Sequence, residues 1–127
     1  MIAGPCRPEE AKAILAGALT DKTGGAGADL DELTADAVCM AVRDQGGAIV
    51  GAYVLHAEGG TLWIRAAAGR APVDLCQVMF GAIAHQGRAF DCIGFQTRRA
   101  GLVKKAAALG YAVTGHKDGF TVMRKWL

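Results

Sequence analysis

A histidine and a glutamate stand two residues apart at the end of an apolar segment. His56 and Glu58 close a stretch that begins at Ala48, and residues two apart in a strand lie on one face of a sheet. An imidazole or a carboxylate can take a proton from an ammonium group, directly or through water. His56 and Glu58 are therefore candidate bases for a reaction at an amine, although a solvated strand end explains the same residues.

A run of small residues precedes one of the helical patterns. The segment Gly69-Arg70-Ala71 leads into Pro72, and proline suits the first turn of a helix. The free N–H groups and the dipole at a helix N-terminus favour anions such as phosphate. This segment is therefore a candidate phosphate-binding loop, although similar turns also precede helices that bind no ligand.

Charge is distributed unevenly along the chain. The 14 Lys and Arg against 12 Asp and Glu give a net charge of +2, which is too small for a general nucleic-acid binder, so no nucleic-acid partner is expected. Residues 98–127, however, hold seven basic side chains and only one acidic one. This basic quarter can serve an anionic ligand, or it can be a solvated face of a helix and a strand.

The cysteines and histidines form no metal-binding pattern. The chain has no C-x-x-C pair, and His85 and His116 share no ligand spacing with other residues. No metal site is expected, and reduced, buried thiols are predicted for all four cysteines: Cys6, Cys39, Cys76 and Cys92.

Length and composition indicate one domain over residues 1–127, with 52% hydrophobic residues. The longest uncharged apolar stretch, Ala48–His56, is far shorter than the ~20 residues of a membrane span. The N-terminus lacks the pattern of a signal peptide. A soluble, cytoplasmic protein without a membrane partner is therefore expected.

Four segments have a helical pattern. Pro8 suits a first helical turn, and Gly110 suits the end of the last helix. The predicted helices cover residues 8–20, a short acidic segment that follows Asp29 and carries Leu30 and Leu33, residues 72–87, and residues 98–109.

Six further segments are β-branched or alternate in polarity, and glycine-containing turns at residues 44–47 and 117–119 join two pairs of them. The predicted strands are Val38–Arg43, Ala48–His56, Thr61–Arg65, Cys92–Gln96, 111–115 and 120–127. The order α-α-β-β-β-α-β-α-β-β predicts a mixed α/β or α+β domain. Its sheet is mostly antiparallel, is flanked by helices and contains one strand-helix-strand crossover.

This order and two local motifs resemble the GNAT superfamily of acyl-CoA-dependent N-acetyltransferases. The family's last helix closes in a leucine-glycine-aromatic triplet, here Leu109-Gly110-Tyr111, and its chain ends in Met-x-Lys/Arg-x-Leu, here residues 123–127. Arg7 to Ala11 is similar to the family's first helix, and a short first strand at Ile2 would precede it. The resemblance covers nearly the whole chain.

The resemblance implies transfer of an acyl group from acetyl-CoA to an amine substrate. It implies a thioester carbonyl polarised by backbone N–H groups around Ile64, Arg65 and Ala66 on the third predicted strand. It implies a pyrophosphate held by Gly69, Arg70 and Ala71. Glu58 or His56 would relay the proton of the amine.

The sequence departs from the family at two motifs. Arg65 stands one place before the position of the family's basic loop residue, which is Ala66 here. Ala106 stands where many members have the tyrosine that protonates the leaving thiolate. We therefore expect an enzyme with a degenerate site.

A non-catalytic role is the alternative. Residues 94–127 are similar to the C-terminal part of small GNAT-like internal virion proteins of short-tailed phages, and such a component would bind partner protein chains inside a virion. A homodimer is also possible, with the terminal strand ending in Trp126 and Leu127 pairing across an edge.

Overall fold

The computed structural model describes residues 1–16, 30–69 and 75–127. Within these ranges the helices are α1 (Pro8–Leu15), α2 (Leu30–Thr34), α3 (Cys76–Gln86) and α4 (Ala100–Ala108). The strands are β1 (Ile2–Pro5), β2 (Val38–Arg43), β3 (Ile49–Glu58), β4 (Thr61–Gly69), β5 (Cys92–Thr97), β6 (Ala112–Lys117) and β7 (Phe120–Trp126). The predicted order is confirmed, with the short strand β1 added at its start.

The strands form one seven-stranded sheet in the order β1-β2-β3-β4-β5-β7-β6. Every neighbouring pair is antiparallel except β4 and β5, which are parallel. A parallel pair needs a crossover connection, and α3 lies in the connection between these two strands. The prediction of a mostly antiparallel sheet with one crossover is confirmed.

The strand β4 is longer than its local sequence indicates. It was predicted to end at Arg65, but it continues to Gly69 because residues 66–69 pair with β3. Small residues suit this stretch, since a Cβ on Gly69 would come within 2.6 Å of the Leu75 side chain. The parts of two predicted helices at residues 17–20 and 72–74, and the cap at Asp29, lie outside the described residues.

Helix α1 begins where the sequence predicts. Pro8 occupies its first turn, and the Glu10 carboxylate accepts a hydrogen bond of 3.1 Å from the Arg7 backbone N–H. That bond lowers the pKa of Glu10. Ile14 and Leu15 are buried with Val54 of β3, so α1 covers one face of the sheet, which we call the α1 face.

The opposite face, the α3 face, carries the larger core. Tyr53 and Ile93 of the sheet are fully buried there with Ile83 of α3. Phe80, Phe95 and Tyr111 also pack together on this face, with ring centroids 5.2–5.7 Å apart. The two helical layers fix the sheet from both sides and so position the strands that form the site.

The terminal strand is not an edge. Trp126 and Leu127 were expected to pair across an edge of the sheet, but β7 lies between β5 and β6. The placement of a dimer contact on that strand is therefore wrong, because both sides of β7 are already occupied by neighbouring strands. The strands with one open side are β1 and β6.

The prediction of four buried thiols is correct for two of the cysteines and wrong for the other two. All four cysteines are free, with Cys39 and Cys92 buried and Cys6 and Cys76 half-buried. Burial raises the pKa of the Cys6 and Cys39 thiols. These two side chains therefore stay protonated at neutral pH.

Candidate functional site

The parallel strands β4 and β5 part from each other and leave a cleft. They pair only between Thr61–Trp63 and Cys92–Gly94. Beyond this point β4 continues to Gly69 and β5 to Thr97, but the two strands no longer pair with each other. The gap opens into a cavity of about 300 Å³.

Backbone, small side chains and larger apolar side chains line the cleft. Residues 64–69 of β4 form one wall, in which residues 66–69 have small side chains, and α3 and β5 supply apolar groups. Besides Ala66 of β4, the buried apolar members of this lining are Leu75, Met79, Ile83 and Phe95. A slot with one wall of backbone and one of apolar side chains suits a flexible, mainly apolar ligand arm.

A β-bulge lies at the start of the open part of β4. Leu55 pairs with Ile64 and Val54 with Ala66, so Arg65 has no partner in β3. A bulge bends its strand and re-aims the neighbouring backbone groups. The backbone at Ile64, Arg65 and Ala66, which all line the cleft, is therefore reoriented where the two strands begin to diverge.

The side chain of Arg65 supports a helix. Its Nη1 atom lies 3.4, 3.4 and 3.1 Å from the backbone carbonyl oxygens of Glu32, Leu33 and Ala35, to which it donates. Cations at a helix C-terminus complement both the free carbonyls and the dipole. The guanidinium thus holds α2 onto the α1 face of the sheet. Arg65 also lines the cleft, because it lies in the open part of β4.

The candidate phosphate loop is described only at its beginning. Gly69 is the last residue of β4 and lines the cleft. Arg70 and Ala71 lie outside the described residues. Gly69 therefore joins Ile64, Arg65 and Ala66 along one wall, at the end of β4 that lies farthest from the paired segment.

His56 and Glu58 lie beside the closed end of the cleft. His56 pairs with Trp63, the last residue of β4 before the strands part, while Glu58 pairs with Thr61. The half-buried His56 ring has Nδ1 3.4 Å from the carbonyl oxygen of Asp36, and Glu58 is exposed. Of the two candidate bases, His56 is the nearer in register to the point where the cleft opens.

The basic C-terminal quarter reaches the cleft through α4. Arg99, at the N-cap of α4, and Lys105, on its second turn, both line the cavity. Arg98 instead stacks on Phe120, with its guanidinium carbon 4.1 Å from the ring centroid. Two cations at the cleft create a local potential that attracts anionic groups.

Both tyrosines of the chain lie in the core. Tyr53 is fully buried and donates a hydrogen bond of 2.8 Å to Gln86 Oε1. Tyr111 is 5% exposed, and burial raises its pKa to about 12. Ala106 is fully buried on the same side of the sheet. Neither phenol lies among the residues that line the cleft.

Three residues in one register row form a feature that the sequence analysis missed. Trp63 pairs with Gly94, and Gly94 pairs with Arg124. The Arg124 guanidinium carbon lies 5.1 Å from the centroid of the Trp63 ring. No local pattern indicates this contact, because the three residues come from β4, β5 and β7.

The described residues contain neither a candidate metal site nor a candidate membrane-spanning helix. No group of three or more His, Cys, Asp or Glu side chains in residues 1–16, 30–69 and 75–127 could hold a metal ion. None of the helices within these ranges is long and apolar enough to cross a membrane.

The chain is similar in fold to solved structures of acetyltransferases over 99% of its length. A Bacillus subtilis acetyltransferase in complex with CoA matches with a TM-score of 0.72 and 16% identity, over 97% of that chain. An aminoglycoside 6'-acetyltransferase type Ii matches with a TM-score of 0.71 and 16% identity, also over 97% of that chain. A GNAT family acetyltransferase from Elizabethkingia anophelis with acetyl-CoA bound matches with a TM-score of 0.69 and 14% identity, again over 97%. The chain has the GNAT fold.

No protein-family model and no curated protein matches the sequence. The GNAT fold is therefore supported by the arrangement of the elements, as the order of helices and strands predicted. Identities of 14–16% leave the chemistry to be argued from the site of this chain itself.

Proposed function

We propose that this chain is a GNAT-fold N-acyltransferase that binds acyl-CoA between β4 and β5 and transfers the acyl group to an amine. The observation that carries the proposal is the cleft itself, opened at a β-bulge in the only parallel pair of the described sheet. Its narrow form, backbone wall and two cations suit a long, mainly apolar arm that ends in phosphates.

The residues of the chain divide the work by position. Backbone N–H groups around Ile64, Arg65 and Ala66 polarise the thioester carbonyl, because preorganised donors stabilise the charge that develops on its oxygen. Backbone N–H groups of Gly69, Arg70 and Ala71 hold the pyrophosphate, and Arg99 and Lys105, which line the cleft, add attraction for phosphate. The thioester supplies the activated acyl group, and the cleft supplies proximity to the amine.

Proton transfer relies on few side chains. His56, or Glu58 through water, accepts the proton of the attacking amine. No phenol is available to the leaving thiolate, since Tyr53 and Tyr111 are both core residues, so the thiolate takes its proton from water. This is the degenerate site that the sequence predicts.

The second candidate is a non-catalytic GNAT-fold component that binds partner chains. It is favoured by one observation: Ala106, at the position of the family's tyrosine, is fully buried and packed in the core. Under this candidate the cleft binds no thioester.

A thermal melt with and without millimolar acetyl-CoA separates the two candidates. A ligand at about 100 times its Kd adds about 2.7 kcal/mol to the free energy of unfolding. For a domain of this size we expect Tm to rise by several degrees. An unchanged Tm, together with no heat of binding in calorimetry, would overturn the proposed function and favour the non-catalytic component.

A matched pair of variants places the ligand in the cleft. We expect K105Q to weaken CoA binding several-fold and K104Q to leave it unchanged, because Lys105 lines the cleft and Lys104 is exposed outside that lining. Equal binding by both variants in calorimetry would remove Lys105 from the site. Substitution of Gly69 is a poorer probe, because a Cβ there would press on the buried Leu75 side chain.

A further inference from the structure

We propose that Arg124 binds a carboxylate on the acceptor, and hence that the substrate amine belongs to the class of amino acids with a free carboxyl group. This inference rests on the proposed function, and it names the acceptor for that same site. It is carried by the row Trp63, Gly94 and Arg124, which crosses three neighbouring strands.

The row lies on the α1 face of the sheet. Val54 belongs to the core beneath α1, and His56, two residues further along β3, has the same orientation. His56 pairs with Trp63, which pairs with Gly94, which in turn pairs with Arg124. All four residues therefore share the α1 face.

Gly94 lets the outer two residues of the row meet. A Cβ on Gly94 would lie 2.7 Å from a ring carbon of Trp63, so the indole occupies the space above the backbone of β5. The Arg124 guanidinium reaches back toward β4 and lies over that ring, 5.1 Å from its centroid. The side chain of Arg124 thus places its positive charge between β7 and the point where β4 and β5 separate.

One nitrogen of the Arg124 guanidinium has no hydrogen-bonding partner among the described residues. This atom, Nε, is buried, and Arg124 forms no ion pair with any of the described residues. A half-buried guanidinium stacked on an indole keeps its preference for carboxylates, which it binds through charge-assisted hydrogen bonds. An unsatisfied donor of this kind is uncommon in a folded protein. The guanidinium that carries it also has no carboxylate partner among the described residues, so the carboxylate of a ligand is the partner that we assign to it.

The position of the Arg124 guanidinium indicates which class of amine substrate binds as the acyl acceptor. Trp63 is the last paired residue before the cleft opens, so the guanidinium lies beside the place of the proposed acyl transfer. An anionic group close to the reacting amine would contact the guanidinium there. The carboxylate of an amino acid is such a group, because only one carbon separates it from the amine. A nearby cation also disfavours acceptors with several positive charges.

Arg98 provides the control for this assignment. It too stacks on an aromatic ring, but its Nη2 atom donates a hydrogen bond of 2.8 Å to the carbonyl oxygen of Asp118. Arg98 therefore has a partner within the protein, whereas no hydrogen bond satisfies Nε of Arg124 within the described residues.

The test compares a carboxylate with its uncharged amide. In a W126F background Trp63 is the only tryptophan, and its fluorescence reports binding at the row. N-acetylglycine and N-acetylglycinamide are titrated with and without CoA, and Tm measures CoA binding in the same samples. We expect the acid to bind roughly tenfold or more tightly than the amide, R124Q to abolish the difference, R124K to retain part of it, and R98Q to keep it.

Each result decides one of the two proposals. Equal affinity for acid and amide overturns the role of Arg124, and so does a preference for the acid that survives in R124Q. If R124Q does not fold, R124K takes its place, and a preference for the acid that is undiminished in R124K overturns the role of Arg124. A carboxylate preference without any CoA binding would retain Arg124 as an anion site and refute the acyltransferase.

Discussion

Single residues determine the alkaline stability of this protein. Tyr53 and Tyr111 are both buried, and burial raises the pKa of both phenols. Their neutral forms are compatible with the core and their phenolates are not. In the unfolded chain the same groups ionise near pH 10.

We predict that the free energy of unfolding falls above pH 10, and that Y111F reduces this fall. Between pH 10 and about 12, the folded-state pKa of Tyr111, the unfolded chain releases the proton first. Each pH unit then costs about 1.4 kcal/mol. Below pH 10 both states hold the proton, so Y111F should alter stability little there. Urea titrations from pH 8 to 11 check this, and parallel curves for parent and variant would contradict it.

Gly94 is a residue whose lack of a side chain matters. We predict that G94A lowers stability by roughly 1–3 kcal/mol, because its Cβ would lie 2.7 Å from the Trp63 ring. The matched control is G81A in α3, where no atom lies within 4 Å of the added Cβ. Alanine there should raise stability by about 0.5–1 kcal/mol. Denaturation of both variants tests the pair, and a neutral G94A would show that the indole moves freely.

At the scale of elements, the short helix α2 depends on a strand. Five residues are too few to form a stable helix alone, and Thr34 is its one buried residue. The Arg65 guanidinium, which donates toward three carbonyl oxygens at the end of α2, links the helix to the bulge in β4. Helix and bulge are therefore expected to respond to the same substitution.

We predict that R65M lowers stability by about 1 kcal/mol, since it keeps the aliphatic stem and removes the donors. R88M is the control, because the one acceptor of the Arg88 side chain among the described residues is the carbonyl oxygen of His85, three residues earlier in the chain. Its effect should stay within about 0.5 kcal/mol. Urea unfolding measures both variants, and equal losses would mean that the Arg65 contacts contribute nothing particular.

At the scale of the whole molecule, the sheet consists of two parts joined by a short seam. Strands β1 to β4 form one part, and β5, β7 and β6 form the other. Three paired residues on each of β4 and β5 connect them. Along the cleft, the outward-facing N–H groups of β4 have no strand partner within the described part of the chain, so they are available to a ligand.

We predict that the backbone amides of residues 64–69 exchange hydrogen at two different rates, depending on the strand or cleft toward which each N–H points. Amides that face β3 should exchange slowly, while amides that face the cleft should exchange fast and slow down when CoA is bound. Residues 40–43 of β2, which pair with strands on both sides, provide the reference. Uniform protection of residues 64–69 without CoA would show that the cleft is closed in solution.

Much of the fold could be predicted from local sequence. The strand Val38–Arg43 has the predicted bounds, because an apolar, β-branched run beside a glycine-rich turn carries its own signal. The positive φ values of Gly47 and Gly119 are those that the two predicted hairpin turns require. Residues 66–69 were missed because their small side chains indicate a loop locally, while their pairing with β3 is a long-range property.

The sequence by itself determined the order of the elements, since periodicity, caps and turn residues act over a few positions of the chain. Its resemblance to the GNAT superfamily then predicted the fold, which the structure confirms. The tertiary structure alone decided where β4 and β5 part, that Arg65 supports α2, that β7 is internal, and that Arg124 meets Trp63 over Gly94. These features depend on strand register and on contacts between residues far apart in the chain. Such contacts leave no local pattern, because either partner could stand in many other surroundings.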